Sequence, residues 1–145
     1  MSTASKPATA AFASITGASS GIGAIYANRL AKRGRSVAPL FRPFVLSKLS
    51  LANRVVMAPM TRQKSRGGIP GPEVAAYYRR RAESGTGLII TEGTVVDDPV
   101  STMSVDIPNF YGPALDGLLR AVDAVHEVGG KIMPSCASRS GRAPT

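Results

Sequence analysis

The 145-residue chain is long enough for one modest domain and too short for a complete eightfold βα barrel, which takes about 250 residues. At 43% hydrophobic and 19% charged it reads as an ordinary globular protein, and no apolar run nears the roughly 20 residues that span a membrane. The net charge of +9 is unevenly placed: eleven Lys and Arg precede the first acid, Glu73, and from there on nine acids face seven bases.

Residues 1–11 are small and polar and read as a disordered tail. From Phe12 to Val37 the text FASI, TGASSGIG, AIYANRLAKRG reads as strand, glycine turn and helix, a Rossmann-like β-turn-α fragment. Ile25 and Leu30 give the helix a weak apolar face, and Gly34 stops it. A seam falls at Val37–Pro39, because SVAPLFRPFVLSKLSLANR offers prolines and short hairpin-like runs where a second strand and helix are due.

Residues 40–145 then form the second unit. Arg54–Met60 is a β-branched apolar run, read as a buried strand ending at Pro59. TRQKSRGGIPG is a loop, and Pro72–Ser84 is a helix opened by proline and closed by Gly85 and Gly87. Tyr77 and Tyr78 read as helix–sheet packing, and Arg79-Arg80-Arg81 as a solvated face. Gly87–Val96 is another buried strand. After a loop rich in Asp, Pro and Ser, Pro113–Val128 repeats the helix pattern. Leu115, Leu118, Leu119, Val122 and Val125 fall on one stripe there, with Gly129-Gly130 as cap. His126, late in that helix, suits the dipole and reads as structural. Lys131–Met133 starts a third strand. Strand, helix, strand, helix, strand with short gaps means a parallel α/β sheet.

In such folds function gathers where strands reach their C-terminal ends, and Ala58-Pro59-Met60-Thr61 and Glu92-Gly93-Thr94 are two such ends. Taken alone, a Met or Thr after a strand is core or a turn cap as readily as a ligand contact. Three blocks in order and register sharpen the reading: LFRPFVLSKLSLANRVVMAPMTR, YYRRRAESGTGLIITEGTVV and DAVHEVGGKI. From Leu40 to Ile132 the chain resembles the old yellow enzyme family, the FMN-dependent NADH:flavin oxidoreductases and ene-reductases.

The resemblance implies the first two to three βα units of a (βα)8 TIM-type barrel. It implies that Ala58, Pro59, Met60 and Thr61 line one face of FMN. Thr61 then hydrogen-bonds the flavin ring and tunes its electrons, Met60 packs on the isoalloxazine, and Pro59 fixes the backbone beside it. Gly93 lets the backbone approach the ring. The implied reaction passes hydride from NAD(P)H through flavin N5 to an activated alkene or quinone-like acceptor.

Past Ile132 the family pattern has an apolar strand with a Gln, then Leu-Trp-His and Gly-Arg. Here MPSCASRS intervenes before Gly141-Arg142, so the buried strand is expected to lose its apolar face, and its ladder donor at Pro134. A local reading-frame slip would account for this, which resequencing tests. The family's substrate-anchoring pair, proton-donating Tyr and phosphate-binding Arg match nothing here. The chain as it stands is therefore expected to bind FMN weakly or not at all and to turn over nothing, with a sheet edge left open.

The leader's Thr16–Gly23 resembles the TGxxxGIG turn of short-chain dehydrogenases. That similarity implies an NADP cradle at Gly17, Ser19, Gly21, Ile22 and Gly23. The Tyr-x-x-x-Lys pair of those enzymes is missing, since Tyr26 and Tyr78 each lack a lysine four positions on. A non-catalytic fusion fragment and a dehydrogenase remnant both stay open as alternatives. With Phe12, Phe41 and Phe44 scattered and no Trp, the basic segments lack stacking platforms for nucleic acid. No membrane, metal or nucleic-acid partner is expected, only a small-molecule substrate, with the oligomeric state open. The single Cys136 excludes an internal disulfide and fits a cytoplasmic location, the acid-free leader leaving a mitochondrial one as alternative.

Overall fold

The computed structural model describes residues 38–137, apart from 99, 100, 102 and 103. The strand–turn–helix expected over 12–37, with its dinucleotide turn, lies outside the described residues. A short 3-10 turn at Ala38–Phe41 leads into an antiparallel hairpin, β1 (Phe44–Leu46) and β2 (Leu49–Leu51). Its two-residue turn places Ser47 at φ 49°, and the Arg54 guanidinium covers the Phe44 ring at 5.7 Å. The hairpin-like runs after the seam are thus a hairpin.

Two βα units and a further strand follow: β3 (Val56–Met57), α1 (Pro72–Glu83), β4 (Leu88–Val95), α2 (Ala114–His126) and β5 (Ile132–Ala137). The three strands form one parallel sheet in the order β3-β4-β5. β3 is much shorter than the Arg54–Met60 strand the sequence suggests. Among the described residues it pairs on one side only, through Val56 with Leu88 and Met57 with Ile89, so little ladder exists there to extend it beyond Met57. Asn53 anchors its start: its side chain accepts the Val55 N–H and donates to the Gly85 carbonyl at the end of α1.

α1 begins at Pro72, where the missing N–H loses nothing, and ends at Gly85, whose φ of 83° is the left-handed cap that glycine takes without strain. Its buried stripe of Val74, Ala75, Tyr78 and Ala82 meets Ile89 of β4 and Ala121 and Val125 of α2 in one core. β4, the central strand, is the most buried element, as its apolar run requires.

The α2 stripe differs from expectation. The buried face carries Ala114, Gly117, Ala121 and Val125, while Leu115 and Leu119 are exposed at 41% and 58%. The cause is close approach: a Cβ on Gly117 would lie 2.3 Å from the Pro70 carbonyl oxygen. Small residues let α2 settle against the entry to α1, and that turns the leucines outward.

The third strand, started at Lys131–Met133 in the sequence reading, runs on in the sheet to Ala137 despite the donor missing at Pro134. Ile90 pairs with Met133 and Gly93 with Ser135, so β4 advances three residues while β5 advances two. The extra residue falls at Thr91–Glu92, a bulge opposite the proline that cannot donate. The next donor is caught by a side chain, the Ser135 N–H bonding Thr91 Oγ1 at 3.1 Å. The expected loss of an apolar face holds in part, since Met133, Pro134 and Cys136 are exposed. No helix among the described residues is long and apolar enough to cross a membrane.

Candidate functional site

Parallel α/β sheets place their ligands at the carboxyl ends of the strands. At that end of β3 runs Ala58–Thr61, and beside it β4 continues as Glu92, Gly93 and Thr94. Ala58 and Gly93 are half-buried, whereas Pro59, Met60 and Thr61 are exposed, Met60 at 51%. The first segment continues the chain past the end of β3, and the second lies within the neighbouring parallel strand β4. If the pairing of Met57 with Ile89 ran on, four more residues would bring Thr61 level with Gly93. Gly93 is not at a strand tip, as the sequence suggested, but inside the ladder, paired with Ser135.

What holds the two segments together is a buried carboxylate. Glu92 is 1% exposed, and its Oε2 accepts the Arg62 backbone N–H at 2.9 Å. Its Oε1 takes the Arg62 guanidinium at 3.0 Å. Arg62 therefore closes a ring, backbone and side chain both gripping one acid. Removing one partner of such a pair typically costs about 3–5 kcal/mol, because the other charge is left buried alone.

The surroundings finish the clamp. The Arg62 guanidinium lies 3.8 Å from the centre of the Tyr77 ring and 5.2 Å from that of Tyr78. The Tyr78 hydroxyl accepts the Glu92 N–H at 2.9 Å, satisfying a donor freed near the bulge. Burial pushes the Tyr78 phenol above its ordinary value and the Glu92 carboxylate pushes the same way, while the Glu92 N–H and the Arg62 charge pull it down. The tyrosines thus do more than pack a helix on a sheet. Nor is Arg79-Arg80-Arg81 a plain solvated face. Arg81 covers the Tyr77 ring at 3.5 Å, and Arg79 pairs with Glu83 and Glu127, so only Arg80 fits that description.

The loops that leave β3 and β4 are laced to each other. The Ser65 N–H donates to the Asp106 carbonyl at 3.0 Å, and the Asn109 N–H to the Gly68 carbonyl at 2.8 Å. A parallel bridge of Asn109 to Val95, with the Val95 N–H on Pro108 and the Phe110 N–H on Val95, ties the second loop to β4. These bonds fix the described parts of the loops after β3 and β4 against each other.

Residues 39–143 match the model of the NADH:flavin oxidoreductase / NADH oxidase family. The chain belongs to this family. Among curated relatives, 12-oxophytodienoate reductase 7 of Oryza sativa subsp. japonica is 46% identical over 94 residues, covering 64% of this chain and 23% of the relative. 12-Oxophytodienoate reductase 2 of Arabidopsis thaliana is 39% identical over 93 residues, covering 63% and 24%. Among solved structures, a morphinone reductase in complex with tetrahydroNAD superposes with a TM-score of 0.63 at 37% identity, covering 68% of this chain and 27% of that one. The old yellow enzyme from Trypanosoma cruzi gives 0.60 at 35% identity, covering 67% and 26%. The chain spans about a quarter of the length of these relatives. The fold is accordingly part of the old yellow enzyme barrel.

The residues present fit the flavin that the family name carries. Pro59 and Met60 offer exposed apolar surface for a flat ring. The Thr61 hydroxyl, also exposed, has no hydrogen-bond partner among the described residues and is free to meet a polar edge. The sequence marks Glu92 only as part of a strand end and Tyr78 only as packing, and it does not link either to Arg62. The available signal was Glu92 itself, the one acid inside an apolar strand, which needs a partner if buried.

Proposed function

We propose that Ala58, Pro59, Met60, Thr61 and Gly93 form one wall of an FMN site, in a barrel reductase that uses NAD(P)H. The observation that carries the proposal is the tie between the two segments: Ala58–Thr61 follows directly on β3, Gly93 lies in the neighbouring parallel strand β4, and Arg62 on Glu92 joins them. FMN, when bound, supplies a two-electron carrier between NAD(P)H and an activated alkene or quinone-like acceptor. The chain's own residues do the holding. Met60 and Pro59 shield the apolar ring from water, Thr61 offers a hydroxyl to its polar edge, and the backbone at Gly93 leaves room beside it. These residues make up one wall of such a site, so binding of FMN by the chain is expected to be weak.

Flavin fluorescence during titration of the chain with FMN tests this. Saturable quenching is expected, weakened roughly 2- to 10-fold in Thr61→Val, the equivalent of one hydrogen bond. A linear, non-saturating response, or equal affinity in Thr61→Val, would remove the reading.

A further inference from the structure

We infer that Glu92 is a positioning residue that sets the place of Thr61 at the flavin wall by clamping the backbone of the next residue, Arg62. The inference rests on the FMN reading above. Three observations carry it. Glu92 is 1% exposed in the middle of a strand that is otherwise apolar apart from threonines, an expensive place for a carboxylate unless both oxygens are used. Both are used, and both on one residue: Oε2 on the Arg62 N–H at 2.9 Å and Oε1 on its guanidinium at 3.0 Å. The bulge at Thr91–Glu92, opposite Pro134, breaks the regular ladder at this acid and leaves the Glu92 N–H for the Tyr78 hydroxyl.

The consequence for Thr61 is geometric. Ala58 to Thr61 lie beyond the end of β3 and have no ladder of their own. Gln63, just past the clamp, is at φ 53°, a left-handed conformation unusual for a side-chain residue. The segment therefore runs between two fixed points, Met57 in the sheet and Arg62 on Glu92. Four residues spanning such anchors have few conformations, and Thr61 directly adjoins the clamp. The guanidinium, stacked on Tyr77, keeps the Arg62 side chain from swinging its own backbone away. The clamp is a preorganising device. Without it the flavin would have to order this segment on binding, at a loss of roughly tenfold in affinity if one or two residues are freed.

The experiment combines amide exchange with a binding cycle in the full chain. Without flavin, the Arg62 amide is expected to exchange far more slowly than its neighbours Thr61 and Lys64. It should stay protected in Glu92→Gln, whose side-chain oxygen still accepts that N–H, and lose protection in Glu92→Leu while the Tyr78 and Ala82 amides of α1 keep theirs. With FMN followed by fluorescence, Glu92→Leu should bind about tenfold more weakly and Glu92→Gln within about threefold of the unmodified chain. Combining Glu92→Leu with Thr61→Val should add little beyond either alone, because both act through one hydroxyl, whereas a merely structural role gives additive losses. An unprotected Arg62 amide in the unmodified chain overturns the positioning role even if Glu92→Leu fails to fold. No saturable FMN binding by the unmodified chain overturns the flavin reading and this role with it. Saturable binding with additive losses overturns this role alone.

Discussion

Gly117→Ala pits intrinsic helix preference against packing, and the structure decides the sign. In an open helix, Gly to Ala stabilises by about 1 kcal/mol, since alanine surrenders less backbone entropy. Here the new methyl carbon would meet the Pro70 carbonyl oxygen at 2.3 Å and the Pro70 ring at 3.1 Å. Van der Waals contact for such pairs lies near 3.5–4.0 Å, so one side must retreat by more than an ångström. Pro70 is fully buried and sits two residues before α1, so retreat means shifting the joint that enters that helix. Overpacking of this kind costs about 1–3 kcal/mol, which outweighs the propensity gain. The expected net loss is about 1 kcal/mol, a fall in Tm of roughly 4–8 °C for a domain of this size. Thermal melts by far-UV circular dichroism measure it, with Asp123→Ala on the exposed side of α2 as a control expected to hold or raise Tm slightly. A rise in Tm for Gly117→Ala matching the control would refute the close approach of α2 to Pro70, and with it the account of why the leucines face outward.

Two further outcomes follow from the same packing. Leu119→Gln, on the exposed side of α2, should change stability by no more than about 0.5 kcal/mol in urea titrations, although the sequence stripe marks Leu119 as core. Tyr78 has a phenol pKa raised in the folded state, so its contribution is intact below the unfolded value near 10 and is lost as pH climbs through the folded one. Tm of the unmodified chain should therefore fall more steeply than that of Tyr78→Phe above about pH 10. Parallel profiles for the two would show that the phenol is not held neutral by burial. At neutral pH the Phe variant should be the less stable by about 1–3 kcal/mol, having left the buried Glu92 N–H without its acceptor.

The alternation of strands and helices was legible because glycine and proline punctuate it: Pro72 and Gly85 frame α1, and Gly129-Gly130 follow α2. β4 was legible because a central parallel strand needs an unbroken apolar run. Three features were not. The α2 stripe misled because apolar periodicity weighs leucine over glycine and alanine, while a close helix approach selects the small residues. Pro134 read as a lost ladder donor, and how the sheet accommodates it, by a single-residue bulge and the Thr91 hydroxyl, was not legible. The site was half legible. Ala58–Thr61 and Gly93 stood out because the sequence reading puts both at strand ends, although Gly93 lies inside the ladder, and the pair that joins the segments, Arg62 and Glu92, lies thirty residues apart in sequence and becomes a pair only when β3 and β4 lie side by side.

The central claim is that Ala58–Thr61 and Gly93 together face the flavin ring. Recording amide chemical shifts of the isotope-labelled chain as FMN is added tests it most directly, because weak binding still leaves a footprint. Progressive shifts are expected at Ala58, Met60, Thr61 and Gly93, with the amides of Leu115 and Leu119 in α2 unmoved. Shifts scattered over the basic surface, or confined to one of the two strands, would contradict it.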